Sequence, residues 1–363
     1  MTAIVPVRRE QSFSARCLDA GFTLVEIMIA LTLGMIVVAA LVIVFSNASA
    51  TRHEVDRTSR QVENGHYAMQ VLADDVRHAG YFAEFKPDVL ATPAAKPDPC
   101  ATAITDLKTA LPLQVQGYYN PASASIPTCL SDVRSGTDIL VIRRTSTCIR
   151  GTTDCDGPLA GTPYFQASLC GSATELASNN SSDWYALDTA DASLTRTKRD
   201  CATAADIHRY QTRIYFIANN DLAGDGIPTL KRAELGATGG TTAFTIVPVA
   251  EGVENMQIEF GLDLDNDGAP DVFTADPDNY SCAGSACVAN WRNVMAARLN
   301  LLVRSTETTP GYIDAKVYVL GKKADGTDNR FPASGTGYGD AYRRHVYQAE
   351  VRLNNPAVRR MVR

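Results

Sequence analysis

From Ile27 to Phe45, IMIALTLGMIVVAALVIVF, no charge interrupts 19 residues that are apolar but for Thr32 and Gly34. As a helix, such a run spans the roughly 30 Å of a bilayer's hydrocarbon. From Arg52 to Gly80 the pattern becomes amphipathic. Val55, Val62, Met69 and Val76 recur every seven residues, and Thr58, Gly65, Leu72 and Ala79 follow each by three. Charges such as Asp56, Arg57, Arg60, Asp74, Asp75 and Arg77 flank this stripe, which is expected to pack beneath a globular domain. Gly80 fits a stop just past the helix, and Pro87 bars continuation. One helix over residues 22–80 is expected, weakest by propensity from Ser46 to Thr51.

Farther along, the period shortens to two. Met256, Ile258, Phe260 and Leu262 alternate with Gln257, Glu259 and Gly261. Arg213–Ala218, Arg298–Val303, Ala315–Leu320 and Tyr347–Leu353 read as further strands, and Thr137–Thr145 as the one convincing strand between residues 86 and 210. That middle stretch is rich in Ala, Ser, Thr, Pro and Gly, and is expected to be loop-heavy and free to vary. A long helix followed by turn-joined strands predicts an α+β fold with an antiparallel sheet.

A net charge of -6 gives no electrostatic reason to expect nucleic acid. Cysteine usage says more. Beyond Cys17 there are Cys100, Cys129, Cys148, Cys155, Cys170, Cys201, Cys282 and Cys287, an even set that suits disulfides in an oxidising compartment. Eight cysteines allow roughly a hundred connectivities, so pairing stays open, with Cys148–Cys155 and Cys282–Cys287 closing the shortest loops. No CxxC occurs, which argues against a zinc ribbon or a thioredoxin-type site.

Arg8, Arg9 and Arg16 precede the apolar run and place residues 1–21 on the cytoplasmic side. A conventional signal peptide has support in Ala48-Ser49-Ala50, a small-x-small cleavage pattern. The run is longer than the about 7–15 residues of a usual signal-peptide core, however. Gly21-Phe22-Thr23-Leu24-Val25-Glu26, set directly before it, resembles the prepilin peptidase junction of type IV pilins and type II secretion pseudopilins. The resemblance implies cleavage after Gly21, N-methylation of Phe22 and retention of the apolar segment. Glu26 also carries weight by itself, because a carboxylate beside an apolar run is costly and needs a partner. By the resemblance, that partner is the α-amino group of a neighbouring subunit.

Four later segments extend the likeness: Glu63–Tyr81 (ENGHYAMQVLADDVRHAGY), Val249–Asp263 (VAEGVENMQIEFGLD), Ala297–Ser305 (ARLNLLVRS) and Tyr342–Asn354 (YRRHVYQAEVRLN). In this order they resemble the PilW family of type IV pilus minor pilins, which is related to the J-type minor pseudopilins. The middle region has no such counterpart. The resemblance implies a pilin-like α+β fold, its long N-terminal helix packed on an antiparallel head with disulfide-rich loops. The expected segments are a leader over 1–21, a transmembrane and filament-core helix over 22–50, an amphipathic helix over 51–85, a loop-rich cysteine-containing region over 86–210 and a β-sheet head over 211–363. It also implies a structural subunit rather than an enzyme, anchored in the inner membrane with its head in the periplasm, then placed in the pilus near the tip to prime assembly. Its partners would be prepilin peptidase, the other minor pilins and the major pilin. A type II secretion pseudopilin is the nearest alternative, and a calcium-dependent pilus-mounted adhesin is one of another class.

Asp263-Leu264-Asp265-Asn266-Asp267-Gly268-Ala269-Pro270-Asp271 has the spacing of a calcium loop. Asp263, Asp265 and Asp267 would offer side chains, Ala269 a carbonyl and Asp271 a further oxygen. Thr274 stands where a bidentate glutamate belongs, and Asp276 or Asp278 would have to substitute. The alternative is an Asx- and Gly-rich turn. Asn219–Gly226, a second acidic stretch, reads as a turn. Five scattered histidines, without HExxH, GxSxG or a P-loop, give no catalytic constellation. Arg343-Arg344-His345 reads as a solvated strand start or an assembly contact.

Overall fold

A computed structural model describes residue 21 and residues 23–153, 155 and 157–361. Cys17, Phe22 and residues 1–20 of the expected leader lie outside the described residues. The chain divides into two compact units between Val55 and Asp56.

Helix α1, Leu24–His78, opens on a capping box. The Thr23 hydroxyl accepts from the Glu26 N–H at 3.2 Å, and Glu26 Oε2 accepts from the Thr23 N–H at 2.9 Å. The stretch from Ser46 to Thr51 stays helical despite its poor propensity. The helix ends before Gly80, whose φ of 71° is left-handed and where a Cβ would stand 2.5 Å from Gln114.

Thirteen strands follow among the described residues. The first seven are β1 (Val115–Tyr118), β2 (Ile139–Ile149), β3 (Tyr164–Ala167), β4 (Tyr185–Asp188), β5 (Ile207–Ala218), β6 (Thr229–Thr238) and β7 (Thr241–Glu251). They make one antiparallel sheet in which β5 pairs with β2 along one edge and shares the other between β3 and β6; β7 continues beyond β6. Strands β8 (Val253–Leu262), β9 (Val272–Thr274), β10 (Val294–Arg304) and β13 (Arg344–Arg352) form a second sheet in the order β13-β10-β8-β9. Strands β11 (Tyr318–Lys322) and β12 (Asp328–Phe331) form a separate hairpin. Three short α-helices, α2 (Ile104–Ala110), α3 (Val288–Arg292) and α4 (Asn354–Met361), and six short 3-10 turns complete the described elements.

The main core joins α1 to both sheets. Ala68, Leu72, Val76 and Ala79 pack with Leu140, Ile142, Tyr215 and Ile217 of the first sheet and with Met256, Ile258, Leu299, Leu301 and Val351 of the second. Asp138 stitches the sheets together. Its N–H donates to Met256 O at 2.9 Å, and its carboxylate accepts from the Asn120 and Ile258 N–H groups, each at 2.9 Å. Burial pushes this carboxyl up to about 7 despite the two donors.

Several expectations need correction. Residues 86–210 are not simply loop-rich, because they supply β1 to β4 and the start of β5. Four-residue strands carry too little alternation to be read singly, and their pairing partners define them. Residues 81–85 are not helical; Phe82 and Phe85 instead open a second cluster with Leu107, Leu111, Phe165 and Leu187. The seven-residue stripe slides off the packed face, leaving Val55 and Val62 exposed while Gln61, Gly65, Ala68 and Leu72 lie buried. An ideal helix turns about 3.6 residues, so a seven-residue repeat drifts around it. The strand expected at Ala315–Leu320 starts at Tyr318 and belongs to the hairpin.

Candidate functional site

The junction comes first. Gly21 and Thr23 are exposed, and Leu24–Phe45 leaves large apolar side chains in the open, with Leu24 74% and Phe45 77% exposed. Glu26, the expected assembly contact, accepts from Thr23 through both the backbone N–H and the hydroxyl at 2.9 Å. Within the chain its partner is therefore its own helix cap. A 55-residue helix with its first turns wrapped in nothing apolar needs lipid or other apolar helices around it.

The acidic loop is tightly self-bonded. Asp263, Asp265 and Asp267 bring one carboxylate oxygen each within 4.8 Å of the others, and Asp263 is buried. Asp263 accepts from the N–H of Asn266 at 2.6 Å and of Gly268 at 2.9 Å, and from Arg360 Nη1 at 3.0 Å. Asp265 accepts from Asp267 N–H, Asp267 from Ala269 N–H, and Asp271 from Leu264 N–H. Burial raises the Asp263 carboxyl, but the Arg360 guanidinium and these amides hold it below the usual carboxylate range. Thr274 lies in β9 paired to Phe260, so the position of a bidentate glutamate is taken up by the sheet. Asp276 and Asp278 cap and brace the turn after it; Asp278 pairs with Lys96 and accepts from the Trp291 indole N–H. The donor set fits a calcium ion only in part, because a guanidinium already holds its one buried carboxylate. The Asn219–Gly226 stretch is a turn in which Asp225 accepts from the Asp221, Leu222 and Ile227 N–H groups.

Two charged clusters escaped the sequence reading. Asp75, expected to flank the apolar stripe, is instead buried on α1 between Arg144 at 2.9 Å and Arg213 at 2.6 Å, with the Tyr215 hydroxyl donating as well. Burial raises its carboxyl, yet the two guanidinium groups win and lower it overall. Arg344 is wholly buried, contrary to the expected solvated strand start. It contacts Glu254 at 2.5 Å, Asp314 at 2.9 Å and Asp340 at 2.7 Å, and lies over the Tyr338 ring. The only signal available was a basic residue inside an alternating strand, which does not say which carboxylates will face it.

The eight cysteines beyond Cys17 form Cys100–Cys129, Cys148–Cys155, Cys170–Cys201 and Cys282–Cys287. Helix α4, also unforeseen, closes the end of α1. The Asn355 amide donates to His78 O at 3.4 Å and Ala79 O at 3.2 Å, and Arg359 donates to Gly80 O at 3.0 Å. Carbonyls that a helix end leaves without partners are thus satisfied by side chains of α4.

Comparison with known proteins agrees with this anatomy. Residues 17–42 match the prokaryotic N-terminal methylation motif, which defines the class: a prepilin-type subunit carried on its N-terminal helix. Residues 214–355 match the type IV pilus-assembly protein W family, PilW, a span running from within β5 to the start of α4. Together the two matches support a type IV pilus minor pilin, and their pilus-assembly context implies interaction with other pilins and the pilus machinery. Among solved structures, a type IV-like pilin from Thermus thermophilus is similar at 14% identity, covering 55% of this chain and 86% of that one with a TM-score of 0.23. No curated protein matches the chain.

Proposed function

We propose that this minor pilin is cut after Gly21, methylated on Phe22, held in the inner membrane by a single span with its head in the periplasm, and then drawn into the pilus near its tip to prime assembly. The observation that carries this reading is the uncovered apolar length of α1 directly behind a prepilin junction. Hydrophobic burial is the driving force: lipid covers the rod first, and the helices of other minor pilins and of the major pilin replace it. Glu26 would then exchange its Thr23 cap for the amino terminus of a neighbour, a charge-assisted pairing in an apolar bundle. Nothing in this role requires catalysis. Mass spectrometry of the native protein tests the reading: a chain starting at methylated Phe22 supports it, and one starting at Thr51 overturns it. Loss of pili on deletion supports the assembly role, whereas intact pili with failed protein export would mean a type II secretion pseudopilin.

For the acidic loop, calcium remains the ligand to test, favoured by the convergence of Asp263, Asp265 and Asp267. Titration of the purified protein with calcium chloride decides it: a saturable rise in unfolding temperature supports a site, and none leaves a turn clasped by Arg360.

A further inference from the structure

Sheet edges offer unpaired N–H and C=O groups, so native proteins keep them short or blunt them. In the first sheet, the edge strands β1 and β4 have 4 residues each. The third edge, β7, is long but carries Pro248, which has no N–H to offer. In the second sheet, β9 has 3 residues. Strand β13 is different: it is 9 residues long, has no proline, and pairs on one side only among the described residues.

Its hydrogen-bond phase shows what it presents. Leu353 N–H donates to Met295 O and Ser305 N–H donates to Arg343 O, so the odd-numbered positions bond β10. Val346, Gln348 and Glu350 therefore turn their N–H and C=O groups outward. The side chains of Gln348, Glu350 and Arg352 are exposed on the face away from α1. On the α1 face, Tyr347 and Ala349 join the core, with the His66 ring 5.2 Å from Tyr347 and Val62 exposed one turn before His66.

We infer that the free edge of β13 is a docking site for one extended strand of another pilin subunit, which adds to the second sheet beside α1. This rests on the pilin reading, because α1 is the element along which neighbouring subunits pack and β13 lies against its flank: Gly65 abuts Tyr347, and the Gln61 amide donates to Arg343 O at 3.0 Å. The two faces define the partner's chemistry. Toward α1, the incoming strand meets Val62, His66 and Tyr347 and should place apolar side chains there. On the other face, Gln348 and Glu350 border a cavity of about 390 Å³ that also holds Glu259, Asp328, Arg298 and Lys322. Arg298 already pairs with Glu350 at 2.8 Å, and Lys322 and Arg330 with Asp328 at 2.7 and 3.0 Å, so the charges at its mouth are matched and favour a polar, uncharged side chain there. The occupant is an amphipathic strand, apolar toward α1 and polar but uncharged on the other face, gaining affinity from main-chain bonds and register from its side chains.

The test uses the full-length protein in piliated cells. A photo-crosslinking p-benzoylphenylalanine replaces Glu350, or Thr245 on β7 as a control. Adducts to an extended segment of another pilin at Glu350 but not at Thr245 support the proposal. Gln348→Pro removes an outward N–H without touching the bonds to β10 and should lower both adduct yield and piliation by about tenfold or more, the factor set by ~1.4 kcal/mol of lost binding, while Gln348→Thr keeps both. Adducts at Glu350 no more frequent than at Thr245 overturn the proposal, as does normal piliation in a folded Gln348→Pro variant. Should that variant unfold, the crosslink in the otherwise unaltered chain decides alone. Gly21→Val separates the two readings: if it abolishes pili while Glu350 behaves as Thr245 does, the edge proposal fails and the pilin reading stands. If Gly21→Val leaves processing and pili unchanged, the pilin reading fails.

Discussion

Helix α1 contains two lengths of the same backbone with opposite solutions to burial. From Leu24 to Phe45 its large apolar side chains are open, whereas Ala68, Leu72, Val76 and Ala79 are fully covered by the chain's own sheets. Each buried leucine or valine is worth about 1.5–3 kcal/mol, so the first length carries an unclaimed driving force and the second has already spent its own on the head. Polar groups follow the same division. Asp75 and Gln61 find partners within the head, while Glu26, among the described residues, bonds to its own cap. One half of the helix is finished by folding, and the other is finished by assembly.

The contrast can be broken most strongly at Asp75. Asp75→Ala leaves Arg144 and Arg213 buried without their carboxylate and should cost ~3–5 kcal/mol in thermal unfolding of the detergent-solubilised protein, with N-terminal processing unchanged. A loss under half a kilocalorie would show that the cluster does not anchor α1. Because the folded carboxyl is lowered, its contribution is present above the unfolded value near ~4 and vanishes as pH falls through the folded one. The gap between wild type and variant should therefore narrow below about pH 4.

Gly65→Ala comes next. Its Cβ would stand 2.3 Å from the Tyr347 ring, so α1 or the ring must shift at a cost of ~1–3 kcal/mol, read from denaturant midpoints. Asn355→Ala strips a cap from the end of α1 and should cost about 1 kcal/mol, with faster amide exchange confined to the helix's last turns. Glu26→Ala marks the other extreme. Head unfolding should not move, yet incorporation into pili should fall; a variant that assembles normally would show that this carboxylate needs no neighbour.

Much of this was legible in sequence because its cause is local. The uncharged run, the GFTLVE junction and the alternation of β8 and β10 each depend on neighbours a few residues apart. Strands β3 and β4 were not legible, since four residues such as Tyr164–Ala167 become a strand only when β5 lies alongside. The acidic loop was half legible: its spacing announced converging carboxylates, but Arg360 arrives from nearly a hundred positions away.

The amino-acid order alone determined that the N-terminal rod is apolar and helical and overlaps a prepilin-type methylation motif, because hydropathy and helix propensity act over single turns. Tertiary structure decided which charges would be buried, since Asp75 and Arg344 sit in helical and strand patterns that look solvent-facing until distant partners close over them. It also decided where the chain's last helix would cap α1 and which sheet edge stays open, because pairing and burial between remote segments leave no periodic trace in the sequence.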